Sequence, residues 1–188
     1  MIEIRWHGRG GQGAKTVALL LADAALAAGK YMQAFPEYGP ERMGAPVQSF
    51  NRISDQPIMM HCSVKSPSVV AVLDPTLMTS IDVTAGLPAD GVLLVNTALS
   101  PAEIKKQTGF AGKVFTLDAS KISQETIGRN IPNTPLLGAL VKVTGVLDFG
   151  EMVADTEKKL AKKFAHRPEV IEGNIQSIKR AAQELRAA

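Results

Sequence analysis

The residues best suited to chemistry in this chain lie near its start, at positions 8–13, where the sequence reads GRGGQG. An apolar run precedes this segment and an apolar-periodic stretch follows it over residues 17–28, which predicts the order strand, glycine loop, helix. Glycines let a backbone approach a ligand closely, and the N–H groups and dipole at the start of a helix favour an anion. The segment therefore predicts a phosphate-binding loop. A glycine turn that only packs the helix on the sheet is the alternative.

The loop nearly matches two nucleotide-binding motifs. Gly8, Gly10 and Gly13 satisfy the spacing G-x-G-x-x-G of dinucleotide-binding folds. The acidic ribose ligand expected about 20 residues later would have to be Glu37. The motif G-x-x-x-x-G-K-[ST] is broken by Ala14, and one extra helical residue turns the following lysine by about 100°. A free-standing NAD- or FAD-binding oxidoreductase therefore stays open as an alternative, and a nucleoside triphosphatase is less favoured.

Composition excludes several classes of function. The chain has 188 residues, of which 45% are hydrophobic and 21% charged, and its net charge is +3, which is ordinary for a globular protein. No arginine-rich arm or aromatic-interleaved basic patch predicts nucleic-acid binding. No apolar run reaches the roughly 18 to 20 residues that span a bilayer, and the chain begins with a strand rather than a signal peptide. We predict a cytoplasmic protein that binds neither nucleic acid nor membrane.

A single cysteine, Cys62, limits the metal and redox chemistry. One cysteine cannot form an internal disulfide, a four-cysteine iron–sulfur cluster or a zinc site built on thiolates. His61 stands beside it, but neighbours on a strand point to opposite faces. We therefore predict a buried, unreactive cysteine and assign no metal ligands.

The apolar pattern predicts alternating strands and helices. Predicted strands cover residues 2–6, 31–35, 47–53, 58–62, 69–74, 91–96 and 113–117, and predicted helices cover residues 14–28, 75–83, 133–145, 149–165 and 168–187. Continuous apolar runs at 69–74 and 91–96 are typical of buried parallel strands, whereas 47–53 and 58–62 read as a hairpin. The sequence predicts one Rossmann-like α/β domain over residues 1–188, with a mostly parallel sheet, helices on both faces and the added hairpin.

Ligands of such sheets bind at the carboxyl ends of the strands, which singles out the predicted loop of residues 36–44. It contains Tyr38, Gly39 and Arg42, and arginine can pair with a phosphate or a carboxylate. An ordinary surface loop is the alternative. Asn133 stands at the start of a predicted helix, where it acts either as the cap or as a second anion contact.

The sequence offers no catalytic set. Asp74 follows a strand and is predicted as a turn or capping residue, and His7 is predicted as a hydrogen-bonded structural histidine. There is no nucleophile elbow, no H-E-x-x-H motif and no evident pair of buried carboxylates. We predict a chain that holds a ligand but contributes no catalytic residue.

Two motifs at this separation resemble the gamma subunit of 2-oxoacid:ferredoxin oxidoreductases, most of all that of the pyruvate enzyme. They are the GRGGQG segment and residues 37–47, which read EYGPERMGAPV. The similarity extends over nearly the whole chain and includes residues 54–58 and 133–139. Many relatives carry an arginine directly before the glycine that closes the second motif, whereas this chain has Arg42-Met43-Gly44.

The resemblance implies a role inside a complex. Such complexes, with alpha, beta and delta-type subunits beside gamma, cleave a 2-oxoacid, pass two electrons to ferredoxin and transfer the acyl group to coenzyme A with release of CO2. Thiamine diphosphate, Mg2+ and the [4Fe-4S] clusters belong to the partner subunits. The gamma subunit would help to bind coenzyme A and would complete the wall of the active site.

The resemblance also assigns residues to these tasks. The coenzyme phosphates would meet Gly10, Gly11, Gln12 and Gly13, the shared active-site cavity would be faced by Tyr38, Gly39 and Arg42, and Asn133 would be a second coenzyme contact. The alternatives from the residues themselves stay open: the free-standing NAD or FAD enzyme, and a purely structural subunit.

Overall fold

The computed structural model describes residues 1–38 and 44–187, and of Tyr38 it describes the backbone. The strands are β1 (Ile2–Arg9), β2 (Tyr31–Tyr38), β3 (Pro46–Ser54), β4 (Val69–Val72), β5 (Val92–Asn96), β6 (Lys113–Leu117) and β7 (Arg186–Ala187). The helices are α1 (Ala14–Ala27), α2 (Pro101–Thr108), α3 (Ala119–Ile127), α4 (Asn133–Thr144), α5 (Phe149–Lys163) and α6 (Pro168–Glu184), with a 3₁₀ helix at Pro75–Thr79.

The described strands form one sheet in the order β2-β3-β1-β4-β5-β6-β7. β1, β4, β5 and β6 pair in parallel, whereas β3 is antiparallel to both of its neighbours and β7 is antiparallel to β6. All strands except β3 and β7 therefore run in one direction. The chain adds β2 and β3 on one side of β1 and then β4 to β6 on the other. Ligands of open α/β sheets bind where the strand order reverses in this way.

Helices cover both faces of the sheet. On one face α1 and α4 share a large apolar core with the fully buried Trp6 of β1. On the other face Ile104 of α2 packs against a smaller cluster that includes Val72. Successive side chains of a strand alternate between faces, so His7, which pairs with Val72, lies opposite Trp6. The predicted fold class is confirmed: this is a Rossmann-like α/β domain with a mostly parallel sheet.

The predicted hairpin partner at residues 58–62 is wrong. Both edges of β3 are already paired over its length, one with β1 and the other with β2, so the hairpin consists of β2 and β3. The segment after β3 instead crosses the sheet without joining it. It is held by hydrogen bonds from Gln33 Nε2 to Met60 O (2.8 Å) and from Arg52 Nη2 to Ser63 O (3.4 Å).

Two further predictions are wrong, and two helices were missed. Cys62 lies on that crossing segment and is exposed, not buried, because no strand places it in the core. β2 continues to Tyr38, so Pro36 and Glu37 belong to a strand and not to a loop. Helices α2 and α3 were not predicted, although a capping box of Ser100 and Glu103 marks the start of α2.

Candidate functional site

The glycine loop ends β1 and begins α1, as predicted. Gly11 and Gly13 have φ values of +96° and +85°, a region that favours glycine over every other residue. Gly13 is the N-cap of α1 and offers no side chain to cap the helix, and the first helical bond runs from Val17 N to Gly13 O (2.9 Å). Among the described residues, the N–H groups of Gly11 and Gly13 meet no acceptor. The loop therefore presents unpaired amides at the positive end of a helix dipole.

Gln12 holds the loop in this shape through its side chain. Its Oε1 accepts a hydrogen bond from Arg9 N (2.8 Å), and its Nε2 donates to Asp74 Oδ2 (2.8 Å). Its backbone N–H donates to Arg9 O (3.1 Å), and Gly10 N–H donates to Ala45 O (3.1 Å). The amides of Gly10 and Gln12 are thus used within the protein, whereas those of Gly11 and Gly13 have no acceptor in the described part of the chain.

Asp74, just after β4, gathers hydrogen bonds on both carboxylate oxygens. Oδ2 accepts from Gln12 and from Arg9 Nε (3.1 Å), and Oδ1 accepts from Thr76 N (3.0 Å) and Thr76 Oγ1 (2.6 Å). Burial alone would raise the pKa of Asp74, but the hydrogen bonds from Thr76 and Gln12 and the charge of Arg9 together lower it. Asp74 is therefore ionised, and both of its carboxylate oxygens accept hydrogen bonds from the protein. It is also the N-cap of the 3₁₀ helix, which confirms the predicted capping role.

Asn133, the first residue of α4, lies against the glycine loop. A methyl group placed on Gly13 would lie 2.5 Å from Asn133 Nδ2, so the two predicted site residues pack directly on each other. The Asn133 side chain is 7% exposed, and its Nδ2 donates no hydrogen bond within the described chain. The predicted cap is wrong in position: Pro132 is the N-cap, and Asn133 Oδ1 instead accepts from the adjacent Thr134 N (2.8 Å).

His7 is a buried structural residue, as predicted. Its Nε2 accepts a hydrogen bond from Arg5 Nε (3.0 Å), and Arg5 is itself held by Val83 O (3.0 Å) and Ala85 O (2.6 Å). Burial first, and then the charge of Arg5, lower the pKa of His7 to about 3. The imidazole is therefore neutral at physiological pH, which makes it a poor general acid or base.

The second predicted site segment falls largely outside the described residues. Gly39, Arg42 and the side chain of Tyr38 lie outside the described residues. The backbone of Tyr38 ends β2, where it pairs with Val47 of β3. The segment returns to the described chain at Gly44, whose carbonyl oxygen accepts from Arg9 Nη1 (3.2 Å). The β2–β3 connection thus ends directly against the glycine loop.

Sequence reasoning missed the network of Arg9, Gln12, Asp74 and Thr76. Arg9 was assigned no role from the sequence, and its guanidinium contacts Asp74, Gly44 and Thr76. The sequence does show that Asp74 follows a buried strand, which indicates a polar residue at the end of the sheet where ligands bind. It does not show that Arg9, 65 positions away, will donate a hydrogen bond to the Asp74 carboxylate.

The geometry disfavours a dinucleotide site. In dinucleotide-binding folds an acid after the second strand binds the ribose beside the glycine loop. Here Glu37 is exposed on the edge strand β2, and β3 separates β2 from β1. Within residues 1–38 and 44–187 no cluster of histidine, cysteine and acidic side chains is arranged to hold a metal ion. None of the helices described is long and apolar enough to cross a membrane.

Comparison with known proteins gives the family. The model of the pyruvate ferredoxin/flavodoxin oxidoreductase family matches residues 3–184. The chain is 49% identical to pyruvate synthase subunit PorC of Thermotoga maritima over 186 residues, covering 99% of this chain and 95% of the relative. It is 51% identical over 148 residues to the pyruvate/ketoisovalerate oxidoreductases common subunit gamma of Pyrococcus abyssi, covering 78% of this chain and 80% of the relative.

Solved structures agree. The crystal structure of pyruvate oxidoreductase subunit PORC from Thermotoga maritima superposes with a TM-score of 0.88 at 48% identity, covering 100% of this chain and 98% of that one. The fold also occurs in 2-oxoglutarate:ferredoxin oxidoreductase from Magnetococcus marinus, solved with 2-oxoglutarate, coenzyme A and succinyl-CoA bound. The TM-score there is 0.76 at 18% identity, over 97% of this chain and 30% of that chain. The chain belongs to the pyruvate ferredoxin/flavodoxin oxidoreductase family, as the gamma subunit of a pyruvate or 2-oxoacid:ferredoxin oxidoreductase complex.

Proposed function

We propose that this subunit, as one gamma-type domain over residues 1–188, binds phosphate groups of coenzyme A at the glycine loop. The observation that carries the proposal is a set of donors that have no acceptor among the described residues. They are the N–H groups of Gly11 and Gly13 and the Nδ2 of the buried Asn133, which packs on Gly13 where the N-termini of α1 and α4 meet. Two helix N-termini and a buried amide donor favour an anion. Gly10 and Gln12 serve the same site by fixing the loop.

The chain contributes binding and positioning. His7 is neutral, and the oxygens of Asp74 are occupied by hydrogen bonds, so neither is free to transfer a proton. Cleavage of the 2-oxoacid therefore falls to partner subunits of alpha, beta and delta type. Those subunits would hold thiamine diphosphate, Mg2+ and [4Fe-4S] clusters and reduce ferredoxin. We propose that the complex lies in the cytoplasm, where it would meet both ferredoxin and coenzyme A.

We further propose that Tyr38, Gly39 and Arg42 face the shared active-site cavity. The strand that leads to them, β2, points its carboxyl end toward the same edge of the sheet as β1, and the connection returns beside the glycine loop. Acyl transfer requires the coenzyme thiol to enter the cavity while its phosphates are held outside. A phosphate site next to a cavity wall suits that division.

The names of relatives support both parts of the proposal. A relative with the same fold is described with coenzyme A and succinyl-CoA bound. Another is called the common subunit gamma of pyruvate and ketoisovalerate oxidoreductases. A shared gamma subunit is expected if it binds the coenzyme and the other subunits recognise the oxoacid.

The test is Gly11→Val in the assembled complex. A Cβ on Gly11 meets no atom of the described residues within 4 Å, so the side chain would project into the space where a phosphate would approach. We expect the KM for coenzyme A to rise about tenfold, equivalent to about 1.4 kcal/mol. CO2 exchange in the absence of coenzyme A should be preserved, because it does not use this loop.

Gly109→Val is the matched control. Gly109 also has a positive φ, +68°, and open space around its Cβ position, but it ends α2, away from the loop. It carries the same kind of backbone strain, about 1 kcal/mol or more. If the two variants change the KM for coenzyme A equally, the glycine loop is only a structural turn. Calorimetry with NADH and ATP beside coenzyme A separates the alternative nucleotide ligands.

A further inference from the structure

We infer that Arg9 is a positioning residue that couples the glycine loop to the returning end of the β2–β3 connection. Binding of the coenzyme at the loop would then stabilise the Gly44–Ala45 segment, to which Arg9 and Gly10 are hydrogen-bonded. The inference rests on the proposed function, and it assigns to Arg9 a role between the glycine loop and this segment.

The side chain of Arg9 joins three segments. Its Nε donates to Asp74 Oδ2 (3.1 Å), its Nη2 donates to Thr76 Oγ1 (2.9 Å), and its Nη1 donates to Gly44 O (3.2 Å). The planar fork of a guanidinium is suited to reach separate acceptors at once. One side chain therefore ties the turn after β4 to the returning end of the β2–β3 connection.

The backbone of Arg9 ties both of these to the glycine loop. Its N–H donates to Gln12 Oε1 (2.8 Å) and its carbonyl oxygen accepts from Gln12 N (3.1 Å). The next residue, Gly10, donates to Ala45 O (3.1 Å). A shift of the Gly44–Ala45 segment is thus transmitted to the loop both through the Arg9 side chain and through Gly10.

Arg9 also serves the electrostatics of the site. The carboxylate of Asp74 lies in hydrogen-bond contact with the loop through Gln12 and would repel a phosphate if it were uncompensated. The ion pair with Arg9, whose side chain is 32% exposed, offsets that charge. Nε, Nη1 and Nη2 each donate to a protein acceptor, so the protein fixes the position of the guanidinium beside the loop.

The diagnostic substitution is Arg9→Lys. Lysine keeps the positive charge opposite Asp74, but its single ammonium group cannot contact Asp74, Thr76 and Gly44 together in this geometry. The matched control is Arg186→Lys. Arg186 also bridges separate carbonyl oxygens, those of Thr97 and Ala98, but it does so on β7 at the far edge of the sheet.

The experiment is hydrogen exchange, followed by mass spectrometry on the assembled complex with and without coenzyme A. We expect coenzyme A to slow exchange in peptides covering residues 8–13 and 44–48 of the unsubstituted protein and of Arg186→Lys. In Arg9→Lys the coenzyme should still slow exchange at 8–13, whereas its effect at 44–48 should be clearly smaller and limited to what the hydrogen bond from Gly10 to Ala45 transmits. The KM for coenzyme A should rise about fivefold in Arg9→Lys and stay at the parent value in Arg186→Lys.

Each other result identifies what is wrong. If coenzyme A protects 8–13 but never 44–48, or protects both segments equally in Arg9→Lys, the coupling by Arg9 is refuted while the proposed function stands. If coenzyme A protects neither segment in the unsubstituted complex, the proposed coenzyme site itself is refuted, and the coupling with it.

Discussion

Asn133 packs so closely on Gly13 that a methyl group at Gly13 would stand 2.5 Å from its Nδ2 and 3.2 Å from its Cβ. The two residues are 120 positions apart, and each begins a helix or caps one. The contact brings the start of α4 against the start of α1. The absence of a side chain at Gly13 is therefore required twice, once by a φ of +85° and once by Asn133.

Gly13→Ala should cost about 2 kcal/mol in the free energy of unfolding, which combines a positive-φ alanine with displacement of Asn133. Gly109→Ala, which has a positive φ but open space, should cost only about 1 kcal/mol. Urea titrations followed by the fluorescence of Trp6, the single tryptophan and fully buried, give both values. Equal costs for the two substitutions would mean that the Asn133 contact is soft.

The elements that could be predicted from sequence are those with strong local signals. The glycine loop, the start of α1 at Ala14 and the buried strand β5 follow from periodicity and from glycine placement. The strand assigned to 58–62 fails because strand pairing is decided by neighbours distant in sequence. β3 had already paired on both sides with β1 and β2, which leaves no edge for another partner.

The candidate site was predicted in the same uneven way. The positions of Gly13 and Asn133 were chosen from sequence, and the structure brings them together. The role of Gln12 could not be predicted, because its partner Asp74 lies 62 positions later. The contacts predicted for Tyr38, Gly39 and Arg42 remain predictions.

Gln12→Glu should weaken the loop in a pH-dependent manner. The new carboxylate would stand at the 2.8 Å contact with Asp74 Oδ2, and two carboxylates that share a site raise the pKa of one of them. Repulsion is then greatest above neutral pH and is relieved as the pH falls and one group takes a proton. We expect the KM for coenzyme A to rise several-fold at pH 8 and to approach that of the parent complex at pH 5.5.

The control for this prediction is Gln107→Glu, which adds the same charge at an exposed position of α2. It should leave the KM unchanged at both pH values. A pH-independent effect of Gln12→Glu would argue that Gln12 acts by direct contact with the coenzyme and not through Asp74.

His7 should make the chain less stable in mild acid. Its pKa is about 3 in the folded chain and close to its ordinary value of about 6.5 when unfolded. Between pH 6.5 and pH 3, His7 therefore binds a proton in the unfolded chain but not in the folded chain. The stability from neutral His7 is complete above pH 6.5 and is lost progressively as the pH falls from 6.5 toward 3, by at most about 1.4 kcal/mol per pH unit.

His7→Gln removes the titration, so the free energy of unfolding should vary less between pH 6.5 and 4.5 than in the parent chain. His166→Gln replaces an exposed histidine and should keep the parent slope. Urea titrations at intervals of half a pH unit measure these slopes. If the free energy of unfolding varies with pH equally in the parent chain and in both variants, His7 has an ordinary pKa in the folded chain and is not buried as described.

The purified gamma chain alone should not oxidise pyruvate or another 2-oxoacid, with ferredoxin or a viologen dye as the acceptor. The reason lies in the groups themselves. His7 is neutral and buried, and both carboxylate oxygens of Asp74 accept hydrogen bonds from the protein. Within the described residues no cluster could hold a redox metal. Adding the same preparation to a complex that lacks this subunit should restore coenzyme-dependent turnover, which controls for its folding. Turnover by the chain alone, surviving further purification, would contradict the assignment of catalysis to the partner subunits.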